Sequence, residues 1–206
     1  MHLKRQTIGK SWPIQRKGTK YVVTTSHEKK NGVPILVVMR DVMKLGKNRK
    51  EIKKMLSEGM VSVNDRIVRE DNFSLLPFDI LSINKKTYKM WFSDKGKFQV
   101  NETGKEERIL KVLGKKVLKN KIIQLNLLYG KNILSSEKVK VGDSVLIKDK
   151  KIAKVIPLEV GREAAVFAGK HRGKKGEIKK VREGIATLFS NNEEINTPTR
   201  DIMAIK

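Results

Sequence analysis

The residues best suited to chemistry stand in one run: Gly169, Lys170, His171, Arg172, Gly173, Lys174, Lys175 and Gly176. Apolar residues 164–168 precede it and Glu177-Ile178 follow. Glycine tolerates positive φ and carries no side chain, so this backbone can bend sharply and lie against a phosphate-bearing partner, with the cations pointing at it. The chemistry implied is anion binding. A solvated hairpin tip is the other reading of such a charge run taken alone. The pattern predicts a strand, a basic loop and a second strand.

Catalysis finds little support. The histidines are His2, His27 and His171, and none is expected to meet the Asp or Ser partner that a nucleophile–base constellation requires. His171 reads as a phosphate or backbone contact. Glu106-Glu107 and Glu193-Glu194 are expected in turns, and no G-x-x-x-x-G-K-(S/T) loop is present. Zero cysteines exclude disulfides, zinc ribbons and thiol chemistry. No cofactor, metal or small-molecule substrate is expected, and an RNA-modifying enzyme is the disfavoured alternative.

The charge balance names the partner class. Lys and Arg number 46 against 22 acids, a net charge of +24 over 206 residues. Such a surplus repels itself unless a polyanion neutralises it, so nucleic acid leads and an anionic membrane surface follows far behind. The longest apolar run, residues 33–39, is far short of the roughly 18 residues of a membrane span. The basic, polar start of the chain is unlike a secretory signal.

These side chains need elements to hold them. Residues 1–33 lack sustained periodicity and read as a basic arm that cannot fold alone and that orders on its partner. Within it Lys4, Arg5, Lys10, Arg16, Lys17 and Lys20 can each meet a phosphate. Trp12, beside Pro13, reads as an anchor docked on the protein's own core. From Pro34, placed at the first helical position, Leu36, Met39 and Met43 recur at helical spacing up to Gly46, which predicts a helix of about three turns.

Asn48 with Glu51 three residues on predicts the cap of a second helix, ending near Ser57 before Gly59. Ile52, Met55 and Leu56 share one face of it, and Lys50, Lys53 and Lys54 the opposite one. Arg40 and Lys44 are four apart on the first helix, so both helices can offer cations to one side. Residues 60–63 and 66–68 flank Asn64-Asp65 as a two-residue hairpin, and residues 78–83 alternate as a further strand.

This order of two short helices, the second basic, then Gly59, Val61, Val63, Asn64 and Val68, then Asp79, Leu81 and Ile83, resembles the S4-type RNA-binding module. The resemblance implies an RNA-facing set of Lys47, Arg49, Lys50, Lys53 and Lys54, with Asn64 and Arg66 at the hairpin. Asp65 departs from the glycine that often stands there.

Residues 85–158 switch to short β-type runs at 88–92, 97–100, 109–113, 122–127, 144–147 and 152–156. Turn residues separate them at 94–96, 119–120, 129–130 and 149–150, a cadence that predicts a small antiparallel sheet or barrel. Residues 124–133 read as a strand, a turn and the start of another strand. Beyond the basic loop, residues 185–189, 196–197 and 202–205 are expected to close a barrel, and Thr197-Pro198-Thr199 has no reading from the pattern.

Across the whole chain HLKR at 2–5, KSWP at 10–13, RKGTK at 16–20, QLNL at 124–127, GKN at 130–132, VGD at 141–143 and GKHRGKKGEI at 169–178 follow one order. That order is similar to the S4e family of small-subunit ribosomal proteins of archaea and eukaryotes. The likeness implies a multi-module α+β fold: a basic arm (1–33), an S4-type helix pair with β-hairpin (34–84), a central antiparallel β-domain (85–158) and a C-terminal SH3-like KOW barrel (159–206). It implies RNA contacts from the KOW loop, structural binding of small-subunit ribosomal RNA beside neighbouring ribosomal proteins, and a place in the cytoplasmic ribosome. The end of the chain, without the longer eukaryotic tail, leans toward the archaeal type. A KOW protein that binds duplex DNA is the rival reading.

Overall fold

A computed structural model describes residues 3–84, 86–104, 107–118, 122–135, 137–148, 151–190 and 193–205. His2, Glu106 and the turns expected at 119–120 and 149–150 lie outside the described residues. The chain divides into two units, residues 1–106 and 107–206. Its secondary structure is mostly antiparallel strand, with few helices.

In the first unit the arm is folded. Strand β1 (Leu3–Lys4) pairs antiparallel with β2 (Tyr21–Val22). Trp12 is buried, and its indole N–H donates to the Gly32 carbonyl at 3.1 Å. Leu3, Ile8, Ile14, Val22 and Val23 pack on the same core. The expectation of an arm ordered only by its partner is therefore corrected. The apolar residues here are scattered without a sustained period, yet the core of the following segment gives them a place to bury.

Strand β3 (Val33–Pro34) pairs with β6 (Ser74–Leu75). Pro34 is thus the extended residue before the helix (ψ 140°), not its first residue. Helix α1 (Ile35–Val37) passes directly into a π-helical turn, Val38–Val42, with the Met43 N–H donating to the Val38 carbonyl at 2.9 Å. Residues 33–39 are buried all round, so packing overrides the three-turn α-helix that the spacing predicts. Lys44 (φ 55°) takes the left-handed end position. Gly46 serves close approach: a Cβ there would lie 2.8 Å from Ile52 Cδ1.

Helix α2 (Arg49–Ser57) follows the sequence closely, with Ile52 and Leu56 buried and Met55 half-buried. Its cap differs from the expected box. Glu51 Oε2 accepts from the Lys47 backbone N–H at 2.8 Å and Oε1 from the Asn48 amide at 3.3 Å, and the Asn48 side chain caps no helical N–H.

The hairpin of β4 (Val61–Val63) and β5 (Arg66–Ile67) turns through Asn64 (φ 52°) and Asp65 (φ 65°). Two left-handed residues in a two-residue loop match strand twist, and Asp accepts that region as Asn does. Strand β7 (Ile80–Ile83) pairs with β4 and with β8 (Lys86–Phe92), which pairs in turn with β9 (Phe98–Glu102). The sheet order is β5-β4-β7-β8-β9. The boundary expected at 84/85 thus falls inside one sheet, because Met90, Trp91 and Phe92 are buried in the first unit and Phe92 meets Phe98 with ring centroids 4.8 Å apart.

The second unit holds two further five-stranded sheets. In one, β10 (Arg108–Val117), β11 (Ile123–Leu127), β12 (Lys131–Ser135), β13 (Ser144–Lys148) and β14 (Lys151–Ile156) take the order β12-β11-β10-β13-β14. The turn Leu128–Gly130 carries Tyr129 at φ 62°, which makes residues 124–133 the strand, turn and strand start anticipated. In the other, β15 (Glu163–Val166), β16 (Lys175–Arg182), β17 (Ile185–Ser190), β18 (Glu193–Pro198) and β19 (Ile202–Ala204) take the order β18-β17-β16-β15-β19. Glu193 and Glu194 lie on β18, not in a turn.

Thr197-Pro198-Thr199 acquires a reading here. Pro198 closes β18, an edge strand where its missing N–H costs no ladder bond. The chain then turns through Thr199–Asp201, and the Lys111 ammonium on β10 donates to the Thr199 carbonyl and, at 2.9 Å, to that of Ile202. Burial pushes the Lys111 pKa from 10.5 down to about 8, against the pull of Asp201. Between those two values the native chain holds fewer protons than the unfolded one, so the cost of burying this cation is relieved as pH rises.

Lys111→Met takes the ammonium donor from the buried Ile202 carbonyl and one of two donors from the Thr199 carbonyl, which keeps the Ile202 N–H, and is expected to lower stability by about 1–3 kcal/mol near neutral pH. The gap between wild type and variant should widen when melting is repeated in steps from about pH 7 to about pH 10.5. A gap that stays flat over that window rules out the desolvated cation.

Candidate nucleic-acid interface

The cations singled out in the sequence fall into separate sets, and their surroundings differ. On α2, Lys50, Lys53 and Lys54 are exposed opposite the buried Ile52 and Leu56, and Lys47 is exposed just before them. Among these four, Lys54 has a weak acid contact, standing 3.9 Å from Glu58 with 78% of its side chain exposed. This face is a positive surface on a rigid helix.

A second set lines a groove of about 1090 Å³ between the arm and the first helical segment. Arg5, Lys17, Arg40, Lys44 and Arg49 all reach it. Three of the five are committed elsewhere. Arg40 forks onto Asp41 with two 2.9 Å bonds, which hold its pKa above the ordinary value. Arg49 meets Asp71 at 2.6 Å. Arg5 spends its fork on the arm, donating to the Thr19 carbonyl (2.7 Å), the Gln15 carbonyl (2.7 Å) and the Thr19 hydroxyl (2.9 Å). Lys17 and Lys44 are exposed at the rim. Lys4, Lys10, Arg16 and Lys20 are also exposed on the arm.

Asn64 has a structural duty that its sequence context concealed. Its amide donates to Asp79 Oδ1 at 2.8 Å, and its Oδ1 accepts from the Ile80 N–H at 3.0 Å. Asp79 is buried and accepts from the Leu76 N–H as well, at 2.9 Å. Asn64 therefore locks the hairpin to β7, and Arg66, exposed on β5, carries the charge there. Arg66 shares a hollow of about 450 Å³ with Ser26, His27 and Arg69. Against expectation a histidine does have a serine neighbour, with Ser26 Oγ 2.9 Å from His27 Nδ1. Both are exposed, and the His27 ring also meets Phe73 with centroids 5.0 Å apart. The pair has the composition of a surface contact.

In the second unit the basic run joins β15 to β16. The Gly173 N–H donates to the Val166 carbonyl (2.8 Å) and the Val166 N–H to that of Lys174 (3.0 Å), so the loop is closed by backbone. Gly173 (φ 94°) is buried at the turn. Lys170 and Lys175 are exposed, while His171, Arg172 and Lys174 are half-buried. Lys174 lies 3.3 Å from Glu193. Sequence reasoning missed Tyr21, Asp41 and Asp71 in the first unit's groove. Tyr21 opens a short β-branched run, residues 21–25, and nothing local distinguishes it or the two aspartates as groove residues.

No described helix is long and apolar enough to cross a membrane, and no group of three or more His, Asp or Glu among the described residues could hold a metal ion. The family model described as ribosomal family S4e matches residues 84–152. A small ribosomal subunit protein eS4 from Methanocella arvoryzae is 34% identical over 213 aligned residues, covering 100% of this chain and 91% of the relative. Its counterpart from Methanospirillum hungatei is 38% identical, covering 86% and 78%. The solved 30S ribosomal protein S4e from Thermoplasma acidophilum superposes with a TM-score of 0.73 at 29% identity, covering 86% of this chain and 96% of that one.

Proposed function

This chain belongs to the S4e family of ribosomal proteins, and from that premise we propose that it is a structural constituent of the small ribosomal subunit that binds ribosomal RNA through three surfaces. The family is one of structural proteins, not enzymes. Residues 34–84 act as the S4-type module, presenting α2 and the hairpin; residues 159–206 act as an SH3-like KOW module, presenting the loop of residues 169–176; the arm adds Lys4, Lys10, Arg16, Lys17 and Lys20. Strands β8 and β9 extend the sheet of the first unit, β10 to β14 form a sheet of the second, and neighbouring ribosomal proteins are the further partners. The site of action is the cytoplasmic ribosome.

The observation that carries this reading is the exposed lysine face of α2, raised on a helix whose other side is buried. Lysines so placed neutralise phosphates and release counterions, which gives an affinity that falls steeply with salt. Specificity then comes from the fit of a hairpin and a glycine loop to folded RNA, since side chains cannot read the deep, narrow major groove of an A-form helix.

In sucrose gradients of native lysate the chain should sediment stoichiometrically with small subunits and stay there through moderate salt. Recovery only at the top of the gradient, or with DNA-rich fractions, would overturn the proposal in favour of a KOW protein of another kind.

A further inference from the structure

We propose that the groove between the arm and the first helical segment seats an unpaired nucleotide of single-stranded RNA, with Tyr21 as its stacking platform. This rests on the RNA-binding reading above and gives it a substrate class at one place. The chain has 11 aromatic residues, 2 Trp, 3 Tyr and 6 Phe. All are described, and Tyr21 alone among them is exposed, at 47%. It lines the groove, where Lys17 and Lys44 stand at the rim and Ile14 and Val22 add apolar surface.

The Lys20 ammonium stands 5.3 Å from the Tyr21 ring centroid, and an exposed ring beside cations suits a splayed base stacked on the ring with its phosphate on the lysines. A duplex offers its backbone but keeps its base faces stacked on one another, so it cannot use the ring. The arm wall is held in advance: the three Arg5 bonds fix residues 15–19, and Gly18, at φ 138°, brings its backbone so near that a Cβ would lie 3.1 Å from Arg5 Cζ. A pre-formed wall spares the ordering cost on binding. Asp41 and Asp71, held by Arg40 and Arg49, put carboxylates in the same groove. They disfavour a continuous phosphate track there and offer acceptors to base N–H groups.

The test compares the full chain and two variants on two labelled probes at low salt: oligouridine of about 12 nucleotides, within the usual span of single-strand sites, and an RNA duplex of like charge. Tyr21→Leu keeps an apolar side chain in β2 and removes the ring; Tyr21→Phe keeps the ring. Tyr21→Leu should weaken oligouridine binding by about 5- to 150-fold, the range of one base–aromatic stack. Tyr21→Phe should match wild type, and duplex affinity should be equal in all three. If Tyr21→Leu leaves oligouridine binding unchanged, or weakens both probes alike, the groove assignment falls while RNA binding stands. If the wild-type chain binds neither probe, both readings fall together.

Discussion

Replacing Lys50, Lys53 and Lys54 together by alanine is expected to weaken binding to small-subunit ribosomal RNA on the order of 100-fold near physiological salt and to leave the fold intact. If each lysine neutralises one phosphate, the slope of log affinity against log salt flattens by about 2–3, because each contact contributes roughly 0.7–0.9 to it. The helix should tolerate the change. Alanine is the better helix former, the buried side of α2 is untouched, and the Lys54–Glu58 pair at 3.9 Å is exposed enough to be worth at most about 0.5 kcal/mol. Filter binding over a salt series, with thermal melting of the free proteins, checks both halves. A fall of several degrees in melting with an unchanged salt slope would make this lysine face structural and remove it from the interface.

Gly176→Ala is expected to destabilise the second unit by about 3 kcal/mol or more, the upper range for overpacking, because the obstruction is backbone. Gly176 faces Ala164 across the β15–β16 ladder. A Cβ on it would overlap the Phe189 carbonyl oxygen of β17 and lie 2.8 Å from the carbonyl carbon. Backbone cannot rotate away as a side chain can, so β16 and β17 must part. For a unit of this size the melting temperature of its transition should fall by roughly 12–24 °C. Gly104→Ala is the matched control, since its Cβ would meet nothing within 4 Å, and it should stay within about 0.5 kcal/mol of wild type. Calorimetry on the three proteins decides the point. Equal melting of Gly176→Ala and wild type would mean that β16 and β17 do not approach as closely as described.

Gly176 shows why the basic loop was legible and its packing was not. Its place in a glycine-studded cationic run is a local pattern, readable as a bend that meets phosphate. The contact that demands glycine lies 13 residues away, at Phe189 on β17, and belongs to strand pairing. The same contrast holds for Asn64. An Asn-Asp pair between β-branched runs announces a hairpin, and the turn has the left-handed angles that this implies. That the Asn64 side chain is consumed by Asp79 and Ile80 depends on β7 lying beside it.

By itself, then, the sequence determined what depends on near neighbours and on totals. These are the polyanion partner implied by +24, α2 with its apolar and cationic faces, the Asn64-Asp65 turn, most strands and the family likeness. Trp12 as a core anchor was legible too; only the tertiary structure decided that Leu3, Ile8, Ile14, Val22 and Val23 of the arm pack on the same core, that β8 and β9 extend the first unit's sheet, and that residues 35–42 wind partly as a π-helix. It also decided which cations are already spent, with Arg5, Arg40 and Arg49 bound to their own chain and Lys111 buried against two carbonyls. The reason is one of range. Helical faces and turns are set by residues within a few positions, and Arg40 pairs with adjacent Asp41, whereas the partners of Arg5, Arg49 and Lys111 lie 10 to 91 residues distant, and no local period records their approach.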